Sequence, residues 1–271
     1  MARSNELTPL QELIRRREQM WYAEESRKIL LNDLELLLQT GERKRKRSFA
    51  IVAESNGGKT ALVRRFMKTH PPVNAGDHQI IPAIFINMTL LARVEDLSRV
   101  LLEEIGAPDS ASGSHEQRLN RFRKLAEAVQ LNIIFLDEFH DCATTTGRGQ
   151  AFLRIVKGLM NDGFMVVPIG TEELAAVLAQ DRQLSSRFHF SRARLRRVQD
   201  PAVVLSLVQQ LSGPGTPQPT DECIHFILKE TRGVMGHLLD LVEDTLQHHG
   251  AITIGNLREV RQTMDVLDGL L

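Results

Sequence analysis

The chain has 271 residues, 42% hydrophobic and 25% charged, which predicts a water-soluble globular protein with a proper core. Lysine plus arginine equals aspartate plus glutamate at 34 each, so the formal net charge is zero, which weighs against a uniformly basic nucleic-acid binder. No apolar run is long enough to span a membrane, and the N-terminus has no apolar signal core, so the expectation is a cytoplasmic protein with no membrane partner. Cys142 and Cys223 lie far apart without metal-ligand spacing, and read as two free thiols of a reducing compartment.

Residues 10–40 read as helix, with Leu30, Leu34, Leu37 and Leu38 at helical spacing among charges. Thr40-Gly41 ends it. The cationic run Arg43 to Arg47 reads as a solvated turn, with contact to phosphate or an acidic partner as the alternative. Ser48 to Val52 is a short apolar run and predicts a buried strand. Thr60 to His70 predicts a helix stopped by Pro71-Pro72. Ala83 to Asn87 predicts a second strand, and Val94 to Ile105 a helix with one apolar face. Gly106 to His115 reads as loop, and Gln117 to Gln130 as helix.

Asn132 to Leu136 predicts a third strand, which ends in acid. Ala151 to Asn161 reads as helix, Met165 to Ile169 as a fourth strand, Glu172 to Gln180 as helix, and His189 to Leu195 as a fifth strand. Strands alternating with helices predict an α/β fold with a parallel sheet covered on both faces. Such strands are buried on both sides, which accounts for their continuous apolar runs. From Pro201 the strands stop, and helices follow, broken at Gly213 to Pro219. The division expected is an N-terminal helical segment over 1–40, an α/β core over 41–198 and a small helical lid over 199–271.

The stretch AIVAESNGGKTALVRRF, Ala50 to Phe66, carries the first chemistry. A phosphate loop needs a strand, a tight turn of inward N–H groups and a helix start whose dipole favours anions. Ser55, Asn56, Gly57, Gly58, Lys59, Thr60 and Ala61 supply the turn and helix start. Lys59 would reach the β- and γ-phosphates of a nucleotide, and the Thr60 hydroxyl would bind Mg2+. The strict signature opens on glycine, and Ala53 stands in that place. Alanine fits there if φ stays negative.

The second element is IIFLDEFHD, which puts Asp137 and Glu138 at the carboxyl end of a strand, where open α/β sheets bind ligands. Asp137 is placed to hold Mg2+ through water, and Glu138 to orient and deprotonate an attacking water. His140 has no other His or Cys near it at ligand spacing, so a metal site there is disfavoured. Thr171 ends the fourth strand, where a hydroxyl can sit between the carboxylates and the γ-phosphate. Arg182 and Arg187 precede the fifth strand. They read as surface salt bridges or as arginine fingers given to a neighbour's nucleotide.

The order ESNGGKT, FLDEFHD, PIGTEEL, DRQLSSRF and TRGVMGHLLDLV resembles the AAA+ P-loop ATPases. It is most similar to the TniB/TnsC branch, transposition regulators of Tn5053- and Tn7-like elements related in role to the Mu B protein. The resemblance runs from about Leu30 to the end. It implies a five-stranded sheet of order 5-1-4-3-2 and a C-terminal helical lid. It also implies ATP binding, homo-oligomeric rings or filaments on double-stranded DNA, and recruitment of a DDE transposase, often with a TniQ-type protein. Carried over by position, Lys59 and Thr60 belong to Walker A, Asp137 and Glu138 to Walker B, and Thr171 is sensor 1. Arg187 is the first choice for the trans finger, with Arg182 second. His237 stands where the family's lid arginine is expected, and Arg232 is the nearby alternative. The family's DNA-facing loops match Met88 to Asp96 and Gly106 to Arg118, which implies phosphate contact by Arg93 with help from Ser112 or Ser114. Two other roles share these motifs: a helicase loader, and a nucleotide-gated scaffold without turnover.

Overall fold

The computed structural model describes residues 7–22, 24–39, 48–76, 78–142, 147–179, 184, 186–188 and 194–268, with the side chains of 142, 147, 148 and 265–268 excepted. These residues form two compact units. One is Glu25–Leu195, and the other joins Met1–Glu24 to Arg196–Leu271.

The Glu25–Leu195 unit is α/β. Its helices are α2 (Glu25–Gln39), α3 (Lys59–Thr69), α4 (Val94–Glu104), α5 (His115–Ala128), α6 (Phe139–Cys142), α7 (Gly147–Asn161) and α8 (Glu172–Ala179). Its strands are β1 (Ile51–Val52), β4 (Ala83–Asn87), β5 (Ile133–Asp137) and β6 (Met165–Gly170), with a small antiparallel hairpin, β2 (Val73–Asn74) and β3 (Gln79–Ile80), between them. The four longer-range strands pair in parallel in the order β1-β6-β5-β4. With the strands numbered by first appearance, that is 1-4-3-2 of the expected order.

The expected fifth strand is corrected. Among the described residues the parallel sheet has four strands, and positions 189–193 lie outside them. Among the described residues two isolated parallel bridges flank β1, Ser48 with Phe188 and Val52 with Arg194.

The packing follows from the apolar runs. All five residues of β5 and all six of β6 are buried, as a strand covered on both faces requires. One core cluster joins Ile84, Ile86, Ile134, Leu136 and Val166 of the sheet to Leu97 and Leu101 of α4, Phe122 of α5 and Phe152 of α7. On the other side of the strands, Phe66 of α3 meets Phe135 edge-on, with ring centres 5.7 Å apart.

The second unit is helical: α1 (Pro9–Gln19), α9 (Pro201–Ser212), α10 (Asp221–Thr231), α11 (Met235–His249) and α12 (Ile254–Asp268). The single helix expected over 10–40 is therefore two. Thr8 caps α1 through a reciprocal bond with Gln11, and Pro9 occupies the first turn. The chain turns extended at Met20, whose N–H returns to the Arg17 carbonyl. α1 buries Leu13 in a core with Val204, Leu207, Leu211, Leu238 and Leu241. Two arginines fasten it. Arg16 donates to the Leu211 and Ser212 carbonyls at the end of α9 at 3.2 and 2.9 Å. Arg17 pairs with Asp240 at 2.7 Å and Glu243 at 3.3 Å on α11. The compact units thus divide at residues 24 and 195, while the sequence division ran at 40 and 198. The first helix belongs with the last four because its apolar stripe is covered there. Cys223 is a buried free thiol of this unit.

Candidate nucleotide site

The site is built at the carboxyl ends of β1, β5 and β6. β1 leads into Ala53, whose N–H donates to the Gly170 carbonyl of β6 at 3.2 Å. Ala53 is buried and does not have positive φ, so the position does not require glycine. The left-handed residues of the loop are Asn56 (φ 56°) and Gly58 (φ 88°), and Gly58 caps α3. Ser55 and Asn56 are exposed at the loop tip, and Ala61 is exposed in the first turn of α3.

Lys59 is the first residue of α3 and only 4% exposed. Its ammonium donates to the Glu54 and Ala53 carbonyls at 3.0 and 3.3 Å. Both acceptors are neutral, and among the described residues no carboxylate pairs with this cation. A buried cation held only by carbonyls at a helix N-terminus is an unbalanced charge, and an anion in the loop would balance it.

Next to it, the Thr60 hydroxyl donates to Asp137 Oδ2 at 2.7 Å. The sequence places these residues seventy-seven positions apart, and the fold brings them together. Asp137 is 4% exposed, and its second oxygen accepts from the Glu138 N–H at 3.1 Å. Among the described residues no group of three His, Cys, Asp or Glu could hold a metal ion alone, which includes His140. A hydroxyl and one carboxylate match the sparse protein donors of a Mg2+ that also binds substrate phosphate.

Glu138 takes a left-handed backbone (φ 50°) that turns the chain from β5 into the short α6. Its carboxylate is about one-third exposed and lies 3.3 Å from His140 Nδ1, while His140 Nε2 is 3.5 Å from Asp141. His140 Nδ1 is buried and, among the described residues, makes no hydrogen bond of good geometry. Among the described residues the buried Thr171 hydroxyl also makes no hydrogen bond. Two buried polar atoms without a well-formed hydrogen bond near Asp137 and Glu138 fit a site that takes a polar ligand or water.

Other sequence-chosen residues are placed differently. The Arg187 carbonyl accepts from Ser48 N–H, three residues before β1, and the Arg187 guanidinium donates to Asn161 at 2.8 Å. Ser48 lies five residues before Ala53, about 16 Å along an extended chain. Arg187 is therefore not gathered into its own chain's loop. Arg182 lies outside the described residues, as do Arg43 to Arg47. His237 and Arg232 belong to the helical unit. His237 is exposed in the first turn of α11, and Arg232 (φ 51°) ends α10.

The two loops expected to face DNA are stitched together by Arg118, which donates to the Glu95, Ala111 and Gly113 carbonyls and to the buried Ser98 hydroxyl. Ser114 caps α5, with its hydroxyl accepting from Gln117 N–H, and Ser112 is exposed. Arg93 precedes α4; its N–H donates to Asp96 at 2.8 Å and its side chain is exposed. Glu95, Asp96 and Glu116 occupy the first turns of these helices, so the local field there is not uniformly attractive to phosphate.

One residue went unread in the sequence. Arg27 of α2 is 3% exposed and donates from Nη2 to the Gly57 carbonyl at 3.1 Å. The signal was present, since Arg27, Leu30 and Leu34 share one helical stripe, and a charge on an apolar stripe calls for a buried partner.

Solved structures with this fold include the ORC1 protein of Aeropyrum pernix in complex with DNA, at 14% identity and a TM-score of 0.64 over 91% of this chain and 66% of that one. A Walker-type ATPase of Pyrococcus abyssi matches at 17% identity and a TM-score of 0.63, over 94% and 74%. Cdc6p of Pyrobaculum aerophilum matches at 15% and 0.60, over 90% and 69%. The chain thus spans just under two thirds of the first of these. The likeness shows that the chain shares the fold of these proteins. Among curated protein sequences none matches. The profile of the bacterial TniB protein family matches residues 13–198, more than half the chain and all of the loop-to-Thr171 site, and the chain belongs to that family.

Proposed function

We propose that this protein is an ATP-dependent, DNA-binding transposition regulator. It assembles as a homo-oligomer on duplex target DNA and recruits or activates a DDE transposase, with a TniQ-type protein as a further partner. The observation that carries the nucleotide part is the buried Lys59 ammonium, held only by carbonyls and set beside the Thr60–Asp137 pair. Membership of the TniB family supports the transposition role.

Bound Mg-ATP supplies the phosphoryl group to be transferred. Lys59 and the loop N–H groups bind and orient the phosphates, while Thr60 and Asp137 hold the ion. Glu138 orients a water and takes its proton. Thr171 supplies a hydroxyl between the carboxylates and the terminal phosphate. Arg187 acts in trans, completing the site of the next protomer; its distance from its own loop supports that assignment, with Arg182 as the second candidate. Hydrolysis dissolves the assembly. His237 or Arg232 reads the phosphate state from the helical unit.

The DNA contact rests on Arg93, with Ser112 beside it. The use of Ser114 as a helix cap reduces its part. Contacts to phosphate do not read sequence, so binding has little sequence preference and weakens steeply with salt. The DNA complex of the structurally similar ORC1 protein supports the reading. Electron microscopy with duplex DNA and a non-hydrolysable ATP analogue tests it: ordered oligomers on DNA are expected, and monomers alone would sink the proposal. Pull-down against a replicative helicase and a transposase separates it from a helicase loader.

A further inference from the structure

We propose that Arg27 is a positioning residue of the phosphate loop, one that sets the Gly57–Gly58 peptide so that its N–H faces the bound polyphosphate. This rests on the reading of the loop as a nucleotide site.

Arg27 lies on α2, which packs on α3 and buries Leu30 and Leu34 on the same stripe. At 3% exposure its guanidinium has left water, which costs several kcal/mol unless its donors are used. Nη2 donates to the Gly57 carbonyl at 3.1 Å. The approach depends on the next residue. A Cβ on Gly58 would stand 3.0 Å from Nη2, tighter than ordinary contact, and Gly58 has φ 88°. Gly58 therefore serves both the left-handed turn and the clearance for the arginine.

The consequence follows from peptide geometry. The Gly57 carbonyl and the Gly58 N–H belong to one planar trans unit and point to opposite sides. Holding the carbonyl on Arg27 turns the N–H away from α2. A Gly-Gly peptide is otherwise the freest in the chain and can rotate. Arg27 removes that freedom. It acts from behind the loop, through the backbone, without touching the ligand.

The test compares Arg27→Met, Arg27→Gln and Arg27→Lys in the full chain, by ATP and ADP affinity in Mg2+ buffer and by steady-state hydrolysis. Losing one oriented donor to a charged phosphate weakens binding about ten-fold or more. Arg27→Met is expected to raise Kd and KM by that factor with kcat within about three-fold of wild type. Arg27→Gln, which keeps a neutral donor and drops the charge, recovers most of the affinity. If charge rather than position mattered, Arg27→Lys would bind as wild type and Arg27→Gln as Arg27→Met, and that pattern overturns the proposal. So does a folded Arg27→Met that binds ATP as tightly as wild type. If Arg27→Met does not fold, the Gln and Lys variants decide on the same criterion. A wild-type protein that binds neither nucleotide refutes the nucleotide site itself, which is a separate failure.

Discussion

Gly57→Ala isolates the closest packing in the phosphate loop. Gly57 is not in the left-handed region, so alanine meets no backbone penalty there. The obstacle is contact alone. A Cβ at Gly57 would stand 2.9 Å from Ala53 Cβ and 2.9 Å from the Glu54 carbonyl oxygen, where ordinary contact begins at 3.4 Å. The same Glu54 oxygen accepts from Gly57 N–H and from Lys59 Nζ, each at 3.0 Å, so displacing it moves the lysine. Overpacking of this kind costs about 1–3 kcal/mol, which is about 5- to 150-fold if it falls on ATP affinity. Ala53→Gly removes one of the two colliding atoms. The double variant should recover part of the loss, with a coupling of about 0.5–3 kcal/mol. Ala53→Gly alone should stay within about 1 kcal/mol of wild type. Calorimetric titration with ATP and thermal melts read both quantities. A Gly57→Ala protein that binds ATP like wild type, or a double variant no better than Gly57→Ala, would refute the packing argument.

Three further outcomes follow from the same geometry. Lys59→Ala should abolish measurable ATP binding while the fold persists, because its loss leaves only neutral donors; retained micromolar affinity in an equilibrium assay contradicts this. Glu138→Gln should keep ATP binding, stop phosphate release and leave the protein on DNA, as read by filter binding after an ATP chase; release as fast as wild type would tell against Glu138 as the base. Burial pushes the Asp240 and Glu243 carboxyls up from their ordinary 3.8 and 4.5, against the pull of Arg17 on both. Asp244 adds to the push at both, Asp240 adds to it at Glu243, and His237 opposes it at Asp240. The folded form then holds these protons more tightly than the unfolded form. The stability they add is complete below the ordinary values and is lost as pH climbs through the raised ones. Arg17→Met should therefore lower the melting temperature more at pH 7 than at pH 4; an equal loss at both would show that the arginine acts by packing alone.

The parts of this protein that were legible in sequence are those whose signal is local. β4, β5 and β6 stand out because continuous apolar runs end on polar or acidic residues, and their observed bounds fall within a residue of the expected ones. Thr60 and Asp137 meet because a loop after one strand and an acid after another share an edge of the sheet. The turn at Met20 carried no glycine or proline, so two helices read as one. The hairpin of Val73–Asn74 and Gln79–Ile80 is too short for alternation to show. Arg27 was missed although it lies on an apolar stripe, because the identity of its partner, a backbone carbonyl thirty residues away, is not written in any side-chain pattern. The assignment of α1 to the helical unit has the same cause at greater range.

That last placement bears on how the protein is made. α1 leaves the ribosome well before the helices it docks on, since Arg16 bonds residues 195 and 196 positions further on, and Arg17 one 223 positions on. Until those are synthesised, Leu13 has no cover, and Leu10 and Ile14 remain more than two-fifths exposed even in the finished fold. The α/β unit can close behind it, since its chain is complete by Leu195. α1 thus docks on helices made long after it, and until they emerge its apolar stripe is uncovered, open to chaperones or to a neighbouring nascent chain.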